Sequence, residues 1–156
     1  MNLKSNKGDS VPFFNIVLFN PEIPGNTGSI GRTCVGLGLR LHLIHPIGFD
    51  LTEKAVRRAG LDYWQHVQIA HHDSFDDFLK NEPQGELIFF SRFKQDNIYY
   101  EAPYKQNCYL IFGSETKGLP KNILEKYDDK CYGLPLYSEH IRSLNLSNTV
   151  TAAAYE

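Results

Sequence analysis

The sequence predicts an α/β fold in which a mostly parallel sheet carries helices on both faces. Five or six short apolar runs, typical of buried strands, alternate with segments that start at capping residues and have helical periodicity. The chain contains 156 residues, of which 42% are hydrophobic and 22% charged, as in one ordinary globular domain. No apolar run approaches the ~20 residues that cross a bilayer, so we expect no membrane association.

Charge and cysteine content indicate a cytoplasmic protein. Residues 1–12 carry charges but lack the apolar segment of a signal peptide, and they predict a flexible arm before the folded domain at 13–156. Cys34, Cys108 and Cys131 are widely spaced and odd in number, which favours reduced, buried thiols over disulfides. The net charge of −2 argues against a general basic coat for nucleic acid but permits a local basic patch.

Each predicted strand is an apolar run, and each predicted helix has a start signal. Asn26, Thr52 and Ser74 are candidate N-caps, and Pro120 suits the first helical position. The last helix has three candidate caps, at positions 143, 145 and 147. In chain order, we predict strands at 13–19, 41–46, 67–70, 86–91, 109–112 and 131–137, and helices at 26–37, 52–59 (stopped by Gly60), 74–80, 120–127 and from 143 to 156.

The histidines do not predict a metal site. His42 and His45 are three residues apart on a predicted strand, so their side chains point to opposite faces of the sheet. His71 and His72 precede a predicted helix, and we expect both on the surface. We therefore predict no metal ion in this protein.

The stretch YLIFGSETKGLP, residues 109–120, predicts a ligand-binding loop at a strand end. Its apolar half is a buried strand that stops at Gly113, and its polar half carries Glu115 and Lys117. Ligands bind at the carboxyl ends of strands in α/β sheets, and glycine permits a close approach to the backbone. The sequence lacks both GxGxxG and GxxxxGK[ST], which disfavours the two standard nucleotide folds. The alternative for this stretch alone is a simple turn.

Three separated segments resemble the motifs of the SPOUT, or α/β-knot, methyltransferases. They are NTGSIGRT at 26–33, IFGSETKGLP at 111–120 and LPLYSEHIRSLNLSNTVTAAAYE at 134–156. The PEIPGNTG loop and the RRAGLDYW stretch at 57–64 add to the likeness. The resemblance is greatest to short, single-domain members that methylate the ribose 2′-hydroxyl of the wobble nucleotide of tRNA, and it covers residues 14–156.

The resemblance implies a deep C-terminal trefoil knot at about 111–156, a homodimer and S-adenosylmethionine as cofactor, with S-adenosylhomocysteine as product. Phe90 and Leu134 by themselves are typical of core packing, and their place beside the motifs favours a cofactor pocket. The implied cofactor-binding residues are Phe90, Gly113, Gly118, Leu134, Leu136, Ser143 and Leu144.

For catalysis, the resemblance implies a role for Arg32 in activating the hydroxyl, without a metal. An arginine stays protonated, so we expect it to clamp the adjacent phosphate and stabilise the developing alkoxide. Glu115, Ser143 and Asn145 would complete the hydrogen-bond network. The alternative for an isolated helical arginine is a solvated surface residue.

For RNA, we expect a basic patch that contacts the anticodon stem-loop of tRNA. Tyr137 and His140 flank the last motif loop and could stack on a flipped base. Two alternatives remain: methylation of another RNA, such as ribosomal RNA, and a non-catalytic RNA- or nucleotide-binding module. The predicted RNA-binding residues are Asn26, Arg32, Arg57, Arg58, Lys117 and Arg142.

Overall fold

The computed structural model describes residues 12–58, 61–82 and 85–156. The predicted N-terminal arm, up to residue 11, and the predicted helix stop at Gly60 lie outside the described residues. None of the helices within these ranges is long and apolar enough to cross a membrane.

Six strands form a single sheet in the order β3-β2-β1-β5-β4-β6, and every neighbouring pair is parallel. The prediction of a mostly parallel sheet is therefore confirmed. The strand order reverses between β1 and β5: the chain goes from β1 to β2 on one side and from β5 toward β6 on the other. Ligands bind at such a switch point in open α/β sheets. The strands are β1 (Asn15–Phe19), β2 (Arg40–Ile44), β3 (Gln68–His72), β4 (Leu87–Phe90), β5 (Tyr109–Phe112) and β6 (Cys131–Tyr132).

Four of the five α-helices in the described residues cover the two faces of the sheet, as predicted. Helices α1 and α5 pack on one face through Ile30 and Val150, whereas α3 and α4 pack on the other through Phe78 and Ile123. All three cysteines are buried and free, as predicted. The helices are α1 (Pro24–Leu37), α2 (Glu53–Arg58), α3 (Phe75–Asn81), α4 (Lys121–Lys126) and α5 (Leu146–Tyr155).

Two predicted helix starts are wrong by one to three residues. Helix α1 begins at Pro24 with Ile23 as N-cap, not at Asn26. The proline ring fixes φ at a helical value. The amide hydrogen that proline lacks would have no partner in the first turn of a helix, so Pro24 can be the first helical residue. Pro120 is the N-cap of α4 rather than its first residue. Asn145, one of the three predicted caps of α5, does cap that helix.

The last strand is much shorter than predicted. It contains only two residues, Cys131 and Tyr132, which pair with Phe89 and Phe90. From Gly133 the chain leaves the sheet, runs past the carboxyl ends of β4 and β5, and returns to α1 as helix α5. This crossing segment, residues 133–145, supplies one side of the candidate site.

The prediction that His72 lies on the surface is wrong. Strand β3 extends to His72, whose side chain is only 5% exposed and stacks on His42 with ring centroids 5.3 Å apart. Burial, together with the nearby charge of Arg40, lowers the pKa of His42 to about 3. His42 is therefore neutral at physiological pH. His71 is exposed, as predicted.

Candidate active site

A cleft of about 350 Å³ lies at the carboxyl ends of β4, β5 and β6. This volume is within the usual range of small-molecule sites, about 300–1,000 Å³. Four segments form its walls: the start of α1, the loop after Phe90, the loop at 113–118 and the crossing segment. The strand-end position matches the prediction from the sequence.

The structure brings all seven residues that were predicted to bind a cofactor to this cleft. Phe90 stacks on Phe112 with ring centroids 4.7 Å apart and nearly parallel planes, which gives the cleft an aromatic wall. Leu144 is 40% exposed, so its side chain is available to a ligand. The seven lining residues are Phe90, Gly113, Gly118, Leu134, Leu136, Ser143 and Leu144.

The loop at 113–118 closes tightly on itself, and this explains its two glycines. Ser114 and Gly118 exchange backbone hydrogen bonds of 3.3 and 3.0 Å. A Cβ atom on Gly113 would lie 2.1 Å from the carbonyl carbon of Gly118, so any side chain there would force the loop open. Gly118 has a φ of +65°, a left-handed conformation that favours glycine.

Glu115 binds the first turn of α1. Its carboxylate accepts hydrogen bonds from the backbone amides of Glu22, at 2.8 Å, and Ile23, at 3.1 Å. These amides precede a helix whose N-cap offers no side-chain acceptor of its own. Glu115 thus satisfies free donors and complements the positive end of the helix dipole.

Three residues, one from each sequence motif, form a polar chain that we call the motif bridge: Glu115, Asn26 and Asn145. Asn26 donates from Nδ2 to Glu115 at 3.5 Å and accepts at Oδ1 from Asn145 Nδ2 at 3.0 Å. Asn145 in turn caps α5 by accepting from the amide of Ser147 at 2.9 Å. Asn26 is 8% exposed, so the middle of the bridge is buried, whereas Glu115 is half-buried and Asn145 is exposed.

Replacing Asn26 with alanine should lower the free energy of unfolding by about 1–3 kcal/mol, because its two partners lose a hydrogen bond in a partly buried place. Urea denaturation measures this change. Asn122→Ala on the exposed side of α4 is the control and should leave stability unchanged. Equal stability of the Asn26 and Asn122 variants would show that the bridge does not stabilise the fold.

Arg32 does not line the cleft. It is exposed on α1, about 9 Å along the helix axis from Asn26, with its guanidinium 5.5 Å from the ring centroid of Tyr63. Tyr63 donates a hydrogen bond to the carbonyl of Gly28 at 2.8 Å, so its ring is fixed against the helix. Tyr63, from the RRAGLDYW stretch, therefore supports the side chain of Arg32.

Three other predicted RNA-binding cations, Arg58, Lys117 and Arg142, are also absent from the cleft lining. Arg58, Lys117 and Arg142 are exposed, and Lys117 and Arg142 belong to the two loops that border the cleft. The side chain of Arg57 lies outside the described part of the structure.

Sequence reasoning missed several residues that line the cleft. Ser91 and Arg92 follow β4 directly, so the strand-end argument applied to Gly113 also indicates them. Phe93 is 71% exposed, with the Arg92 guanidinium 4.7 Å from its ring centroid. Gly133 has no room for a side chain, since a Cβ would lie 1.9 Å from the carbonyl oxygen of Lys94. The missed residues also include Ile23, Ser114, Leu146 and Thr149.

Comparisons with known proteins identify the family. Residues 14–155 match the SpoU rRNA Methylase family. A tRNA (cytidine(34)-2′-O)-methyltransferase from Saccharophagus degradans is 44% identical over 144 residues, which cover 92% of each chain. A solved structure described as "Structural insights into the 2-OH methylation of C/U34 on tRNA" is 43% identical, with a TM-score of 0.82 and 91% of each chain covered.

A more distant solved structure shares the fold. The SpoU methyltransferase AviRb from Streptomyces viridochromogenes, in complex with the cofactor AdoMet, is 23% identical with a TM-score of 0.75. The match covers 94% of this chain and 57% of that one. The resemblance carried by the three motifs is thus confirmed, and the chain belongs to the SpoU rRNA methylase family.

Proposed function

We propose that the protein methylates the ribose 2′-hydroxyl of nucleotide 34 of tRNA, a cytidine or a modified uridine, with S-adenosylmethionine as donor. The observation that carries this proposal is the motif bridge, which gathers three distant segments around one cleft. The names of relatives at 43–44% identity, which specify C34 or C/U34 of tRNA, support the choice of substrate.

The cleft has the chemistry that S-adenosylmethionine requires. Leucines and the stacked Phe90 and Phe112 provide apolar surface for an adenine ring. A Cβ built on Gly118 would meet nothing within 4 Å, so its backbone faces open space. Glu115, the carboxylate among the described lining residues, is the group that would favour a cationic sulfonium. When bound, S-adenosylmethionine supplies an electrophilic methyl group.

Arg32 is the residue that we assign to the ribose hydroxyl. The hydroxyl is a poor nucleophile until it loses its proton, and a fixed guanidinium stabilises the alkoxide that develops. Its exposed position outside the cleft suits a residue that contacts RNA rather than the cofactor. Ser143 is exposed at the cleft and is available to the substrate, whereas Glu115 and Asn145 act as positioning residues through the motif bridge.

We further propose that the chain is knotted from about residue 111 and works as a homodimer with the cleft near the subunit interface. The path of the crossing segment from the edge strand β6 back to α1 supports the knot. Apolar side chains beside the cleft support the interface: Ile23 is 45% exposed, Ile141 50% and Tyr137 94%. The three buried free thiols suit the reducing cytoplasm, where we place the activity.

The proposed tRNA footprint predicts a measurable salt effect. Replacing Arg57 and Arg58 together with alanine should reduce the slope of log K against log salt by about 2, because each lost phosphate contact removes about one released counterion. Fluorescence anisotropy with an anticodon stem-loop at several salt concentrations measures the slope. Lys126→Ala on α4 is the control. An unchanged slope in the double variant would remove both arginines from the footprint.

Mass spectrometry of nucleosides from a deletion strain tests the function itself. Loss of 2′-O-methylation at position 34 of tRNA, restored in vitro by the purified protein and S-adenosylmethionine, is the expected result. Loss of a ribose methyl group from ribosomal RNA instead would identify another substrate. Unchanged methylation of all RNA, with S-adenosylmethionine still bound in calorimetry, would identify a binding module.

A further inference from the structure

A second group of chemically active side chains lies away from the cleft, on the sheet face covered by α3. His42, His72 and Glu82 each offer a ligand atom, and these atoms lie within 4.8 Å of one another. The two imidazole rings pack edge-on against Phe78, so both are shielded from water. The group joins β2, β3 and the end of α3, whereas the cleft lies at the ends of β4, β5 and β6.

The hydrogen bonds of His42 define which of its nitrogens holds a proton. Asn15 uses its side-chain amide to donate to the carbonyl of Cys108 at 3.3 Å, so its Oδ1 faces His42 as an acceptor. His42 therefore donates from Nε2 to Asn15, at 3.0 Å, and presents a lone pair at Nδ1. That lone pair points to His72 Nε2, which is 3.0 Å away. A metal-binding histidine usually donates its other ring N–H to an oxygen acceptor, as Nε2 of His42 does to Asn15.

His72 has a polar atom that the fold leaves unsatisfied. Its Nδ1 is buried and has no hydrogen-bond partner among the described residues. Zinc at Nε2 would take the lone pair of that nitrogen, so the ring proton of His72 would have to move to Nδ1. No hydrogen bond of the described residues occupies Nδ1, so the ring is able to change tautomer in this way.

Glu82 is close to the rings and its side chain is loosely held. Its backbone carbonyl accepts from the hydroxyl of Tyr109 at 2.8 Å, which fixes the end of α3. Its carboxylate accepts from the same hydroxyl at 3.4 Å and lies 3.6 Å from Arg40 Nη1; both contacts are long, and the side chain is 17% exposed. The carboxylate can therefore turn toward the rings without moving the helix.

We propose that His42, His72 and Glu82 form a binding site for a divalent transition metal ion, with zinc as the ion that best fits the ligands. Two imidazole nitrogens and one carboxylate oxygen are a common zinc set, and water would complete the tetrahedron. Zinc–nitrogen bonds of about 2.0–2.1 Å require the two nitrogens to be about 3.3 Å apart, so the 3.0 Å pair needs only a small adjustment. Zinc replaces the proton between the rings, and that proton moves from Nε2 to Nδ1 of His72, so both imidazoles stay neutral.

Such an ion would stabilise the fold without taking part in methyl transfer. It would link the edge strand β3 to β2 and to the end of α3. Strands β2 and β3 lie on the opposite side of the sheet from β4 and β6, which border the cleft. Metal bound only in the folded state adds directly to stability.

Calorimetric titration of EDTA-treated, dialysed protein with zinc chloride tests the site. The wild type should bind one zinc ion and gain thermal stability on binding. Glu82→Gln should weaken zinc binding by at least about tenfold, as expected for loss of one ligand. His72→Phe keeps an aromatic ring against Phe78 and should abolish binding. The matched control is the double variant His45→Ala/His71→Ala, which removes an exposed histidine pair 2.8 Å apart and should bind as the wild type does.

Anomalous diffraction at the zinc edge gives a second readout that does not depend on the stability of a variant. A peak within bonding distance of His42 Nδ1 and His72 supports the site, and a peak at any other position overturns it. The proposal would also be overturned if the wild type bound no zinc or if Glu82→Gln bound it with wild-type affinity. Loss of binding only in the His45→Ala/His71→Ala control would overturn it as well.

Discussion

Alanine at position 113 is expected to destabilise the protein by about 3 kcal/mol, at the upper end of the usual cost of overpacking. The added Cβ would lie 2.1 Å from the carbonyl carbon of Gly118 and 2.2 Å from the amide nitrogen of Leu119. Both atoms belong to the backbone of a hydrogen-bonded loop, so no side-chain rotation relieves the contact. The loop must open, and the cleft should lose its affinity for S-adenosylmethionine. Urea denaturation and calorimetry measure the two effects.

Gly36→Ala is the matched control for this substitution. Gly36 lies in α1, and a Cβ there would meet nothing within 4 Å. Alanine in place of glycine within a helix is favourable by about 1 kcal/mol, so this variant should gain slightly in stability. Wild-type stability of Gly113→Ala would mean that the loop closes less tightly than the structure shows.

Arg32→Ala should lower kcat/KM for methylation of tRNA by about 10²–10³, the usual cost of losing one donor to a developing oxyanion. Arg32→Lys should restore only a small part of this loss, because an ammonium group lacks the planar fork that binds a phosphate with two hydrogen bonds. The affinity for S-adenosylmethionine should not change, since Arg32 lies outside the cleft. Transfer of a radiolabelled methyl group to tRNA measures the rate.

The control for Arg32 is Arg40→Ala, another partly exposed arginine at the opposite end of the sheet, which should keep wild-type activity. Full activity of Arg32→Lys would rule out the bidentate contact between the guanidinium and a phosphate. Full activity of Arg32→Ala would show that Arg32 takes no part in the reaction.

Much of the fold could be predicted because its signals are local. The six apolar runs and the Ser74 cap, which accepts from the amide of Asp77 at 3.1 Å, depend on neighbouring residues only. Other features depend on a distant residue. Helix α1 has no side-chain cap at Ile23 because Glu115, over ninety positions later, binds the free amides. No local pattern contains that contact.

Part of the membership of the candidate site was predictable, but its arrangement was not. The motifs indicated seven residues that line the cleft, yet they did not show that Arg32 lies outside it. The buried His42–His72 pair was missed because it depends on how β2 and β3 pair, with His42 opposite Ala70, and on β3 extending to residue 72. Side-chain alternation along a single strand cannot show a contact between two strands.

The crossing segment also bears on protein synthesis. All six strands precede residue 133, so a prematurely terminated product that stops there has every strand of the sheet but lacks Leu134, Leu144 and Asn145. Such a product would have no complete cleft and no link from Asn26 to the last helix. We therefore expect methyl transfer only from chains whose translation has proceeded past this point.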